Sequence, residues 1–158
     1  MNRQPNRSRK QQRRIKTWTF DRAKAALPYF RSVMQSLRND YLEARSHNVR
    51  ARRLTDRPGR PGRDALVAHQ DALIEVDRAH DRADEALEEL NRLDVFCLDP
   101  VNGLALIPFV REEQLAWFVF DLFADDNLSA WRYHEDPLET RRPIGEVADQ
   151  QSTASFMV

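Results

Sequence analysis

Two apolar seams at seven-residue spacing, parted by one strong break, limit what this chain can fold into. Phe30, Met34, Leu37, Tyr41, Ala44, Asn48 and Ala51 follow one another at steps of four and three. Leu66, His69, Leu73, Val76, His80, Ala83, Leu87 and Leu90 repeat the pattern. Such steps lay side chains along one stripe of a helix. Between the seams, TDRPGRPGRD (55–64) holds two prolines and two glycines, which a helix interior does not tolerate. The pattern predicts helices over about 28–54 and 64–92, folded back as an antiparallel hairpin with arms of about 40 Å. Pro28 suits a first helical turn, and Asp64 stands where a cap belongs. Thr19 is placed to cap a short preceding helix with Asp21 in its first turn.

After Asp94 the period changes. Val95–Leu98, Leu104–Val110, Gln114–Phe123 and Leu128–Tyr133 read as strands separated by turn residues, a small antiparallel β-meander of three or four strands. Pro108 implies an edge position or a bulge. In Leu115–Phe123 both faces are apolar, so both require cover. The helical hairpin can cover one, leaving the other for the short helix or a second subunit. The expected fold is therefore α+β: a short helix, a long antiparallel helical hairpin and a β-meander in one domain over 17–145, helical to 93 and β from 94. Residues 1–16 and 146–158 are polar and read as a disordered tail and a frayed end. A homodimer is the expected assembly.

The charge balance is zero, 25 basic against 25 acidic residues, but sorted along the chain. Residues 1–63 sum to +14 and 64–158 to −14. Two blocks carry the positive charge. One is the tail, with Arg3, Arg7, Arg9, Lys10, Arg13, Arg14 and Lys16, a candidate for non-specific nucleic-acid contact through phosphates. It has no aromatic residue for base stacking. The other is 45–63, at +6, which a hairpin lays beside the acidic second helix. Arg45, Arg50, Arg52 and Arg53 are then expected to pair with acids such as Asp71, Glu75 and Asp77.

Glycine-rich phosphate loops, paired CxxC, HExxH and GxSxG are all absent, so those enzyme classes have no support. Cys97, the single cysteine, has no sequence-adjacent histidine and reads as a buried inert thiol in a reduced, cytoplasmic setting. No apolar run reaches the ~18 residues of a membrane span, and no apolar segment follows the basic start as a secretory signal requires. Asp77, His80, Asp81 and Asp84 stand at helical ligand spacing, but a register-setting seam histidine is the simpler reading, and no metal or other cofactor is assigned. His47 and His134 stand alone. The most suggestive polar stretch runs from Asp125 to Arg142. Asp125, Arg132 and Arg141 around Trp131, with Asp99 as a further acid, form a candidate ligand-binding rim.

The order of TFDRAKAALP (19–28), two long helices, LDPVNGLALIPF (98–109) and LAWFVFDLFADDNLSAWRYHEDPLETRRPI (115–144) resembles a small bacterial family of uncharacterised proteins, domain of unknown function 2203. Asp99, Gly103, Leu104, Pro108, Trp131, Arg141, Pro143 and Ile144 match its pattern, and Asp125 is acidic where the family has Glu. Three positions depart from it. Leu106 stands for Asp, Phe120 for Cys and Arg132 for His. The resemblance implies that any polar site built from those three is dismantled here, since an aliphatic or phenyl group can neither ligate nor carry a proton. It points to a non-catalytic interaction or structural protein. The alternatives are a small enzyme or anion- or metal-binding protein at the sheet rim, and a nucleic-acid- or ribosome-associated protein held by its tail.

Overall fold

The computed structural model describes residues 14–148 and 156–157. Helix α1 spans Phe20–Ala25, and Thr19 Oγ1 accepts the Arg22 N–H at 3.2 Å as its cap. Helix α2 runs Leu27–Thr55, with Pro28 in its first turn, and α3 runs Arg63–Arg92. The two long helices pack on each other as the expected antiparallel hairpin. The N-cap of α3 is Gly62 rather than Asp64, which lies in the first turn instead. There its carboxylate still favours the positive end of the helix dipole.

The seam of α3 differs from the one the leucines suggest. Ala83 and Leu90 of the expected seam are buried as expected. Leu66 and Leu73 are 56% and 42% exposed, and His80 is exposed, whereas Ala72 and Ala79 are buried. Ala44 and Ala51 are their buried counterparts on α2. Small side chains let two helix backbones approach closely, so alanines take the interface and the larger residues turn outward. Only the proximal part of the hairpin lies on the sheet. Phe30, Met34, Leu37, Ala83 and Leu90 join the main core, while the buried Ala44, Ala51, Ala72 and Ala79 lie outside it.

The sheet has five antiparallel strands. In chain order, β1 is Arg14–Ile15, β2 Phe96–Asp99, β3 Leu104–Arg111, β4 Gln114–Asp121, β5 Leu128–Tyr133, β6 Arg142–Pro143 and β7 Phe156–Met157. The large sheet runs β2-β3-β4-β5-β6, and β1 pairs with β7 as a separate ribbon. Strand β6 adds to the expected four; two residues, Arg and Pro, carry no strand signal. Pro108 is not on an edge strand, but β2 pairs only as far as Leu106. Beyond it the Pro108 carbonyl accepts the Trp18 N–H at 2.7 Å. The carbonyl and nitrogen of one strand residue face the same neighbour, so the missing proline N–H costs β4 no ladder bond.

One face of the sheet carries Ile107, Phe109, Phe118, Phe120 and Trp131 against the hairpin and α1. Phe109 and Phe118 stack at 4.0 Å, and Phe20 of α1 meets Phe118 edge-on. The other face gathers Leu106, Leu115, Trp117, Val119 and Ala130, with Ile15 of β1 and Leu98 packed on it. Trp117 keeps 9% exposure there. The chain therefore buries this second face itself, and neither α1 nor a second subunit is required. Arg14 and Ile15, read as tail, lie in that ribbon; residues 1–13, 149–155 and 158 lie outside the described residues.

Candidate functional site

The five rim residues are distributed by the meander rather than collected by it. Asp99 ends β2 and closes its turn: Oδ1 accepts the N–H groups of Val101 and Asn102, both at 3.0 Å, and Oδ2 accepts the Asn102 amide at 2.7 Å. The Asn102 backbone bond chiefly holds its carboxyl below the usual range. Asp125 is exposed in the β4–β5 connection, at the same end of the sheet. That end is clamped from α2, where Arg38 donates to the Val101 carbonyl and covers the Phe123 ring, and Arg31 donates to Asn127. Arg141 is exposed in the β5–β6 connection, at the opposite end, and donates to the carbonyls of Leu138 and Thr140. The six residues of β5 separate the two ends by about 20 Å. Trp131 is fully buried on the helix-covered face, and Arg132 points to the other.

A polar network holds the far end of β5. Arg142 donates to both Asp136 oxygens, Nε at 2.8 Å and Nη2 at 2.9 Å. The Tyr133 N–H adds a third bond to Asp136, at 2.8 Å. The Arg142 bonds come first among the causes that push the Asp136 carboxyl down to about 2. Arg132, 4% exposed, donates to the Asp136 carbonyl, while its buried Nε has no partner. Arg111 and Arg142 lie over the Trp131 ring at 4.6 and 5.3 Å. Asp136 and Arg142 thus stitch a turn to a strand, their charges taken up in doing so, and Arg132 adds one bond to the same turn.

The three departures do not share a face either. Leu106 pairs with Val119 and Arg132 with Trp117, which places positions 106 and 132 on the ribbon-covered face. Phe120 lies in the main core, on the opposite side. Cys97 is half-buried, and burial pushes its thiol up to about 11, which disfavours the thiolate.

The end of the hairpin is different. Arg45, Arg50, Arg52, Arg53, Arg57, Arg60 and Arg63 are all exposed. None takes part in an ion pair among the described residues. The expected pairing with Asp71, Glu75 and Asp77 is absent. The interhelical pairs run the other way, from Arg82 on α3 to Asp40 at 3.1 Å and Glu43 at 3.0 Å on α2. Register explains this: the arginines of α2 lie outside the alanine seam and point to solvent. A cavity of about 410 Å³ opens where the helices meet the loop, lined among others by Leu54, Arg57, Arg60, Leu66 and His69.

Of the tail cations, Arg3, Arg7, Arg9, Lys10 and Arg13 lie outside the described residues. Arg14 and Lys16 are exposed, and the Lys16 backbone N–H donates to Asp94 at 2.9 Å. Neither solitary histidine is isolated. His134 Nδ1 accepts the Trp117 indole N–H at 3.1 Å, and His47 lies 3.6 Å from Glu43, with Glu75 of α3 close by. The i, i+4 spacing of Glu43 and His47 was visible in the sequence; the approach of Glu75 needed the helix register. The Asp77, His80, Asp81 and Asp84 set is exposed, away from the helix interface.

No curated protein and no solved structure matches this chain. The model of one family, described as uncharacterized conserved protein (DUF2203), matches residues 16–144. That match spans α1, the hairpin and the sheet through β6, so the chain belongs to the uncharacterised DUF2203 family.

Proposed function

We propose that this protein is a non-catalytic interaction protein whose hairpin end docks onto a phosphate-bearing polyanion, with a nucleic-acid backbone as the partner. The carrying observation is the set of seven exposed arginines between Arg45 and Arg63, none of them in an ion pair among the described residues. An arginine fork matches phosphate oxygens two at a time. The hairpin carries this charge away from the sheet, where a groove or backbone can be reached without disturbing the core. The rim residues support the same reading, since Asp99 and Arg141 are occupied by their own turns.

The test is binding of a labelled duplex and a labelled single strand by the full chain, over a range of salt. Replacing Arg53, Arg57 and Arg60 by Glu should weaken binding and lower the salt slope by about 0.9 per lost duplex contact. A variant that binds like the parent refutes this reading, and a loss seen only on deleting residues 1–13 moves the contact to the tail.

One observation favours a second reading, a homodimer. Leu66, Val67, Leu73 and Ile74 are exposed at steps of seven along one stripe of α3. A second copy can bury such a stripe. Sedimentation of the parent and of Leu66→Gln/Leu73→Gln separates the readings, because only a stripe dimer dissociates in the variant.

A further inference from the structure

We propose that Glu43, His47 and Glu75 form a divalent-metal site of the zinc type, bridging the two helices of the hairpin. It is independent of the docking role proposed above. Their ligand atoms all lie within 4.8 Å of one another, two from α2 and one from α3. Glu43 and His47 are one helical turn apart, with His47 Nε2 3.6 Å from Glu43 Oε1. In a tetrahedral centre, bonds of 2.0–2.1 Å hold neighbouring ligands about 3.4 Å apart, so small side-chain rotations close the set. One imidazole and two carboxylates suit borderline cations such as zinc or cobalt(II). Calcium and magnesium want more oxygens. The side chains keep 25% to 44% exposure, which leaves a route in and room for a water as fourth ligand.

The neighbouring cations fit this role. Arg82 Nη2 holds Glu43 Oε2 at 3.0 Å, which leaves Oε1 towards the imidazole. Arg78 holds Glu75 Oε1 at 2.8 Å and leaves the second oxygen to the site. Such outer contacts orient carboxylate ligands. Their positive charge opposes metal binding, but Asp40 also meets Arg82, so the three carboxylates outnumber the two guanidiniums by one. A simple ion-pair network explains Arg78 and Arg82. It does not require a histidine between the two glutamates.

The full chain, freed of metal by a chelator, is titrated with cobalt(II) and followed by visible absorption, then with zinc by calorimetry. The expected result is one ion per chain, with the visible bands of a four- or five-coordinate centre. His47→Asn and Glu75→Gln should each weaken binding by more than the ~10–100-fold that loss of an outer partner produces. His134→Asn should not change it. Circular dichroism without metal checks that the variants fold. In the unaltered chain, zinc should also shield His47 from carbethoxylation. No binding at submillimolar metal, binding unchanged in both variants, or an unshielded His47 each overturns the proposal.

Discussion

The guanidinium of Arg142 meets the carboxylate of Asp136 through two hydrogen bonds, at 2.8 and 2.9 Å. Together they tie the last strand of the large sheet to the turn that precedes it. Arg142 also lies 5.0 Å from the Tyr133 ring, so one cation links the turn, the strand and the aromatic row of β5.

A pH dependence follows. The Asp136 carboxyl titrates at about 2 in the folded chain, held down first by Arg142, against an ordinary value of 3.8. A carboxylate whose folded value is depressed contributes stability above its unfolded value, and that stability is lost as pH falls towards the folded one. Asp136→Asn should lower the melting temperature at pH 7. The gap to the parent should narrow between pH 4 and pH 2 in thermal melts. A gap independent of pH would remove the charge from the argument.

Gly103 has φ of +67°, and a Cβ there would stand 2.5 Å from Leu122 Cβ. Both the backbone region and the space demand glycine. Gly103→Ala should destabilise the fold by about 2–4 kcal/mol in urea unfolding, the left-handed penalty and the clash adding together.

The β3–β4 turn works the other way. Glu112 and Glu113 both have positive φ, 50° and 62°, in a two-residue loop that favours Asn-Gly. Replacing them by Asn and Gly should stabilise the chain by about 1 kcal/mol, read as a higher denaturation midpoint with an unchanged slope.

The helix interface offers a paired comparison. Ala79 is fully buried between α2 and α3, and Leu66 is mostly exposed. Ala79→Leu should cost about 1–3 kcal/mol through overpacking. Leu66→Gln should change monomer stability by less than about 0.5 kcal/mol. The reverse order would restore the leucine seam that the sequence pattern suggests.

That comparison marks how far pattern alone reaches. Thr19, Pro28 and the Pro-Gly break act through their own backbone geometry, so the helix starts and the hairpin were readable in advance. Alternation and turn residues did the same for β2 to β5. Half of the α3 seam, the row of Leu66, Leu73 and His80, was misread, because alanines and leucines both recur at seven-residue steps and only the closeness of the two helices selects Ala72 and Ala79. The rim residues failed for a related reason. Nearness in sequence between Asp125 and Arg141 says nothing when a strand runs between them. Glu75 lies too far along the chain from His47 for any local spacing to join them.

The sequence by itself determined the types of the main elements from α1 to β5, the helical hairpin, the aromatic-rich core strands and the uneven charge, because each depends on local propensity and periodicity. Tertiary structure decided which stripe of α3 is buried and which arginines go unpaired. It also decided that Ile15 of β1 packs on the second face, and that His47 meets Glu43 and Glu75. Those outcomes depend on register and on distances between segments far apart in the chain, which only packing sets.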